Sequence, residues 1–370
     1  MKIAFIGQKS IILGEKGGGI ETHVAELSRR LAARGHNVTV YARRRYSDRH
    51  PRFIDSVRVR YVPTVYRKNW EAIVHTFLCT IDVLFRSVDV IHYHAVGPAL
   101  LCWIPRLLRP GITVIVTFHA QDRFHQKWSR VAQWVLHAGE WMACHVPHAT
   151  IAVSHGLQVV CRNHYHSEAI FIPNGADIKS VSSTGEIAKL DLKHDGYVLT
   201  VGRLLRVKGI HHLVRAFRAV KTDKRLVIVG PAVLDDGYVE ELHALAKGDA
   251  RIKFIGFQTG DALAELYAHA MLYVQPSESE GLPLTVLEAM SYGTAVLVSD
   301  IPGNLEAIHR AGFTFANKDV EDLTAQLQHL ISHPAEVRAA AADLRRVIDR
   351  HFSWDRIVEQ TEEVYISARH

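Results

Sequence analysis

The chain has 370 residues, 48% hydrophobic and 22% charged, and its four cysteines (Cys79, Cys102, Cys144, Cys161) form no C-x-x-C pair. That is the composition of a globular protein long enough for two cores; it excludes a disulfide scaffold and a cysteine-based zinc module, and no apolar run reaches the roughly 18 residues of a membrane span. The net charge of +6 hides an asymmetry, since residues 1–180 carry 23 Lys/Arg against 12 Asp/Glu (net +11) and residues 181–370 carry 21 against 26 (net −5).

A basic first half is expected to meet an anionic surface or an anionic substrate. Nucleic acid is the rival partner, but no nucleic-acid-binding signature is present and the aromatics are not interleaved as a stacking platform. The first strand is expected at Ile3–Gly7, which argues against a signal peptide. Val/Ile-rich runs follow at Val38–Ala42, Val57–Val62, Val88–Tyr93, Thr113–Phe118, Thr150–Ser154 and Ala169–Ile172. A second series occupies Tyr197–Val201, Leu226–Val229, Ile252–Ile255, Leu272–Gln275, Ala295–Ser299 and Gly312–Phe315. Several runs are apolar throughout, as strands buried on both faces are, and helical segments separate them. Two successive β–α series predict an α/β protein with two doubly wound parallel sheets, Rossmann-like, and a ligand cleft between the domains at the carboxyl ends of the strands. Ser-rich Lys179–Lys193 has no such run and reads as the linker.

Motifs follow in chain order. After the first strand comes Gly14-Glu15-Lys16-Gly17-Gly18-Gly19, then a helix expected over Glu21–Ala33; glycines ahead of a helix N-terminus make an anion cradle. The pattern is neither the dinucleotide fingerprint nor a P-loop. His23 lies in that helix and reads equally as a surface histidine. Arg43-Arg44-Arg45-Tyr46 reads as a solvated charged face. Tyr66-Arg67-Lys68-Asn69-Trp70 and Arg123-Phe124-His125-Gln126-Lys127-Trp128-Ser129-Arg130 mix cations with aromatics, as membrane-interface segments do. His92 and His94 share a strand face; a metal there needs further ligands, and none is evident in the sequence. His119 and Asp122 follow a buried strand, where the cleft is expected. In the second half, Arg203 and Lys208 stand between a strand and a helix, placed to converge on a diphosphate. Glu280-Gly281-Leu282-Pro283 precedes a helix carrying Glu288, with Pro283 suited to the first turn and Gly281 to close approach of a ligand. Carboxylates on either side of an anion cradle suit hydroxyls, of a sugar on one side and a ribose on the other.

Glu280 and Glu288, seven residues between them, resemble the Glu-x7-Glu motif of retaining glycosyltransferases with the GT-B fold. Glu280-Gly281-Leu282-Pro283-Leu284 with Leu287-Glu288-Ala289-Met290 is similar to family 4 of that class. The Gly-rich loop, Thr117-Phe118-His119, Asn174-Gly175-Ala176-Asp177, Gly202-Arg203 with Lys208-Gly209, Ser299-Asp300-Ile301-Pro302-Gly303 and Phe352-Ser353-Trp354 also resemble it. The likeness thus runs along essentially the whole chain. Gly230-Pro231-Ala232 and Ala120 depart from its usual glycines.

The resemblance implies an N-terminal acceptor-binding domain over residues 1–180, joined by a final helix at 352–370, and a C-terminal nucleotide-sugar domain over 181–351. It implies transfer of a hexose, with retention, from a UDP- or GDP-linked donor to a saccharide acceptor, lipid-linked and destined for surface polysaccharide or glycolipid. Gly18, Gly19, Arg203, Lys208, Glu280, Gly281, Leu282 and Glu288 would meet the donor, His119 the reacting sugar, and His23 and Asp122 the acceptor. No cofactor and no metal are expected. The expected place is the cytoplasm, with peripheral contact to an anionic membrane. The alternatives are a sugar-nucleotide epimerase or phosphorylase-like enzyme on the same fold, or a non-catalytic sugar-nucleotide-binding protein. The last predicts loss of one of His119, Arg203, Lys208 or Glu280, and all four are present.

Overall fold

A computed structural model describes residues 1–12, 14, 17–47, 49–67, 70–121, 130–232 and 237–369. The chain divides into two compact units, one of Met1–Asn174 with Trp354–His370, the other of Gly175–Ser353.

The first unit holds β1 (Lys2–Ile6), β2 (Asn37–Arg43), β3 (Phe53–Ile54), β4 (Val57–Val62), β5 (Val90–His94), β6 (Thr113–Phe118), β7 (Ala149–Ala152) and β8 (Ile170–Phe171). Its helices are α1 (Gly19–Ala33), α2 (Glu71–Leu84), α3 (Val96–Ala99), α4 (Trp103–Leu108), α5 (Arg130–His145), α6 (His155–Tyr165) and, from the end of the chain, α15 (Trp354–Ser367). The sheet order is β3-β4-β2-β1-β5-β6-β7-β8, and every pairing is parallel except β3 with β4. The sequence pattern did not reveal β3. It is a two-residue edge strand closing a hairpin through Asp55 and Ser56, both at positive φ (46° and 67°), the conformation a tight two-residue turn demands.

Val24, Leu27 and Leu31 of α1 pack with Ile3, Phe5, Val38 and Val40 of the sheet and with Trp354, Ile357, Val358 and Tyr365 of α15. A second cluster joins Cys79 and Val83 of α2, Cys102, and Ala143 of α5 to Ile6, Ile91, Val114 and Val116. Central strands therefore bury both faces, which explains their unbroken apolar runs.

The second unit holds β9 (Tyr197–Val201), β10 (Arg225–Val229), β11 (Ile252–Phe254), β12 (Leu272–Gln275), β13 (Val296–Ser299) and β14 (Phe313–Phe315), all parallel in the order β11-β10-β9-β12-β13-β14. Its helices are α7 (Gly185–Lys189), α8 (Ile210–Ala219), α9 (Tyr238–Ala246), α10 (Gly260–Ala268), α11 (Leu284–Ser291), α12 (Pro302–Ile308), α13 (Val320–Ser332) and α14 (Pro334–His351).

The expected linker is corrected. The units divide at Asn174/Gly175, and Lys179–Lys193 belongs to the second unit. The Glu265 carboxylate accepts the backbone N–H groups of Glu186 (2.7 Å) and Ile187 (3.1 Å), capping α7 and holding the Ser-rich segment in place.

Candidate active site

In the second unit, β9 ends at Val201 and the chain turns through Gly202 and Arg203 to a short turn at Arg206–Lys208 and then α8. Gly209 stands at φ +65°, and a Cβ there would lie 1.9 Å from the Pro276 carbonyl, so only glycine lets this turn meet the loop after β12. The Glu278 N–H bonds the Val207 carbonyl at 2.8 Å, fixing the same approach. Lys208 consequently reaches Glu280, Nζ to Oε1 at 2.5 Å.

Glu280 Oε1 accepts two more hydrogen bonds, from Ser277 Oγ (2.6 Å) and Gln275 Nε2 (2.9 Å). Thr285 Oγ1 donates to Gln275 Oε1 (3.2 Å), as does the Tyr273 hydroxyl, so the Gln275 amide has one orientation open to it. Burial alone would raise the Glu280 carboxyl, but Lys208 and these hydroxyl and amide donors hold it below the ordinary glutamate value. Oε1 is thus saturated, while among the described residues nothing donates to Oε2. The carboxylate is oriented with one oxygen held in reserve.

The loop is also fastened from behind. Ser299 Oγ donates to the Ser277 carbonyl at 2.5 Å, and Asn304 Nδ2 donates to Ser299 Oγ at 2.9 Å. A Cβ on Gly303 would lie 2.5 Å from the Gly281 carbonyl and 2.6 Å from that of Glu280. Gly281 and Leu282 precede α11, whose N-cap is Pro283. Among the described residues the Gly281 N–H has no acceptor. Glu288, half-buried on α11, accepts from the Tyr267 hydroxyl at 2.9 Å. Arg203 is half-buried, and among the described residues no carboxylate pairs with its guanidinium.

In the first unit, the expectation for His23 as a surface residue is corrected: it is buried, its Nδ1 donating to Asn174 Oδ1 at 3.0 Å. His119, just past β6, has Nε2 3.1 Å from His94 Nδ1, and the His23 ring meets it edge-on with centroids 4.9 Å apart. His92 stacks behind His94 and bonds Tyr365 Oη and Thr117 Oγ1, each at 2.7 Å. Burial lowers the basicity of all four, His23 to about 4 and the others well below the ordinary value, so they are neutral at pH 7. His94 therefore has the neighbours its sequence did not show. The potential ligand atoms of His23, His94 and His119 lie within 4.8 Å of one another, and a second such group is His211, His212 and Glu278.

Gly7 at φ +126° lets β1 end against the His94 carbonyl, 2.3 Å from where a Cβ would sit. Ala95 holds φ 78° and ψ 158°, a region that costs a non-glycine residue about 1–3 kcal/mol. Gly18 is the N-cap of α1 and Gly19 its first residue; Glu21 Oε1 accepts the Lys9 N–H at 3.0 Å, joining α1 to the loop after β1. Arg43 is not part of a solvated face: it is buried at the end of β2 and paired with Glu71 at 3.2 Å. Asp122, Phe124 and Trp128 lie outside the described residues.

Sequence reasoning gave no role to Gln275 or Ser277, and it met Gly303 only as part of a motif. Gln275 had a readable signal, a lone polar residue ending an apolar strand; what Ser277 and Gly303 do is recognisable only once the loops meet.

Two doubly wound parallel sheets, with charged loops at the carboxyl ends of their strands, define the GT-B class. Residues 17–180 match the model of glycosyltransferase family 4 and residues 182–346 that of glycosyl transferases group 1. The chain belongs to glycosyltransferase family 4. It is 31% identical over 172 residues to an uncharacterised glycosyltransferase of Methanocaldococcus jannaschii, a match spanning 45% of this chain and 44% of that one. It is 26% identical to the gpi3 subunit of the Schizosaccharomyces pombe phosphatidylinositol N-acetylglucosaminyltransferase, over 95% of this chain and 78% of that one. Its fold is that of Anabaena HepE, solved with UDP and glucose: TM-score 0.82, 19% identity, 99% of this chain and 100% of that one.

Proposed function

We propose that the enzyme transfers a hexose, with retention of anomeric configuration, from a UDP- or GDP-linked donor to a saccharide acceptor carried on a lipid at an anionic membrane surface, in the cytoplasm. The observation that carries the donor reading is Glu280, its Oε1 saturated by Lys208, Ser277 and Gln275 and its Oε2 left for a sugar hydroxyl. Arg203, Lys208 and the amides before α11 supply positive charge where the diphosphate departs, fixed in advance and so most effective in the transition state. Glu288 accepts a ribose hydroxyl. In the N-terminal unit, His119 presents a neutral imidazole to the sugar at its anomeric side, Gly18 and Gly19 offer backbone N–H groups, and His23 and Asp122 serve the acceptor. The names of two similar proteins, one solved with UDP and glucose and one acting on phosphatidylinositol, support a nucleotide donor and a lipid acceptor. The basic first 180 residues support an anionic surface.

The fixed cations do the work a metal does elsewhere, so no cofactor is required. The test is a panel of sugar nucleotides with released nucleoside diphosphate as the readout, run with and without EDTA. Release from one UDP- or GDP-hexose, unchanged by chelator, is expected. No release from any donor, or loss in EDTA restored by Mg²⁺ or Mn²⁺, overturns the reading or its metal-independent part respectively.

A further inference from the structure

His211, His212 and Glu278 lie in the second unit and take no part in the proposed transfer, yet their potential ligand atoms lie within 4.8 Å of one another. His211 and His212 are the second and third residues of α8, and Glu278 stands in the loop after β12. The two segments are already fastened to each other. Gly209 admits the Pro276 carbonyl, and the Glu278 N–H bonds the Val207 carbonyl at 2.8 Å. Both imidazoles therefore turn to one carboxylate oxygen. Glu278 Oε1 is 3.8 Å from His211 Nε2 and 3.4 Å from His212 Nε2. The two rings lie beside each other, their centroids 3.9 Å apart.

These separations are long for hydrogen bonds, which run near ~2.9 Å. They match the edge of roughly 3.3–3.6 Å between neighbouring ligand atoms of a tetrahedral zinc ion, whose bonds are about 2.0–2.2 Å long. The orientation of the first ring fits as well. His211 Nδ1 is engaged by the Tyr238 hydroxyl at 2.9 Å, which leaves Nε2 to face Glu278. A held outer nitrogen is what fixes a metal-binding imidazole. His212 Nδ1 is buried and has no partner among the described residues, so hydrogen bonds do not account for the way this ring is held. Burial lowers the basicity of both, His211 to about 4, so both are neutral at pH 7, the form that binds metal. The surrounding cations are answered by other oxygens. Lys318 holds Glu278 Oε2 at 2.8 Å, and Arg206 and Arg215 pair with Glu241. Glu278 Oε1 is thus left to the two imidazoles.

We propose that His211, His212 and Glu278 bind one zinc ion, with water in the fourth position, and that the ion clasps α8 to the loop carrying Glu280, two residues further on. Two imidazoles and one carboxylate form a zinc donor set, whereas magnesium and calcium prefer oxygen ligands throughout. The ion fastens the loop and is not required for transfer, which leaves the metal-independent chemistry proposed above intact. It is titrated without donor or acceptor, so the failure of this site and that of the catalytic reading are separable.

The experiment is calorimetric titration of Zn²⁺ into the full chain after it has been stripped with EDTA and desalted. Mg²⁺ is titrated for comparison, and Co²⁺ serves as a substitute whose visible absorption reports its coordination. Two variants, Glu278→Gln and His212→Gln, are titrated alongside once circular dichroism shows them folded. The expected result is one equivalent of bound Zn²⁺, the strong visible bands of tetrahedral Co²⁺, no binding of Mg²⁺, and a midpoint of thermal unfolding raised by Zn²⁺. Each variant is expected to bind Zn²⁺ about ten-fold or more weakly and to lose most of the rise in midpoint. The proposal is overturned by a wild-type chain that takes up no stoichiometric Zn²⁺, or by Glu278→Gln and His212→Gln proteins that bind it like wild type, which would move the ion to His23, His94 and His119.

Discussion

At the scale of single residues, the site depends on which charges are already answered by the protein. Lys208 is answered by Glu280, whereas among the described residues Arg203 has no carboxylate partner. Lys208 stands beside the α11 loop and Arg203 at the end of β9; with both assigned to the diphosphate, replacing either by alanine is expected to lower turnover by about 10²-fold or more, a few kcal/mol of transition-state stabilisation. Near-wild-type kcat in the folded Arg203→Ala or Lys208→Ala protein would remove the diphosphate from this place. Glu288 is different in kind. The ribose contact proposed for it would be made in ground and transition states alike, so Glu288→Gln is expected to raise the donor KM with little change in kcat. A collapse of kcat at unchanged KM would give Glu288 a chemical role. The strained Ala95 belongs at this scale too: it adjoins His94, whose ring is held against His119.

At the scale of elements, the sequence shows a terminal helix but not its task. Helix α15 follows the second unit in the chain and packs in the first, with Trp354 3% exposed among α1 and sheet residues. Arg30 lies over its ring, 5.4 Å from the centroid, and the His23 ring is 5.6 Å away. Trp354→Ala is therefore expected to destabilise the first unit by about 3–5 kcal/mol, read from urea unfolding monitored in that unit. A loss under about 1 kcal/mol would mean that α15 covers the core without supporting it. Tyr365 makes the same link in polar form through its bond to His92, 2.7 Å long.

At the scale of the molecule, the buried histidines set an acid limit. His23, His92, His94 and His119 are held below the ordinary imidazole value chiefly by burial, His23 at about 4. At about pH 8 and above they are neutral in both folded and unfolded chains, and stability has no slope linked to them. As the pH falls below that value the unfolded chain takes up protons that the folded chain refuses. Stability then falls with each step toward the folded-state values, by about 1.4 kcal/mol per pH unit for each such group. With four such groups, chemical denaturation is expected to show a loss of about 6 kcal/mol between about pH 6.5 and about pH 5. A flat profile across that interval would mean that the cluster accepts protons while folded.

The sequence by itself determined the class of fold and singled out most of the residues of the candidate site in the second unit, because both are local. Apolar, Val/Ile-rich runs are what strands buried on two faces require, and they located β6, β9 and β12 to the residue; β4, with alternating arginines, was located just as closely by its Val57–Val62 pattern. Arg203, Lys208 and Glu280 were legible because each lies in a strand–loop–helix turn a few residues long, and Glu288 because it follows on the helix that such a turn begins. Tertiary structure alone decided what these groups touch. That Glu280 offers one oxygen and not two follows from Gln275, Ser277 and Lys208 converging on the other. The convergence depends on Gly209 admitting the Pro276 carbonyl, a contact between segments far apart in the chain. The same reason explains His23, which reads as a surface residue until Asn174, His94 and His119 surround it.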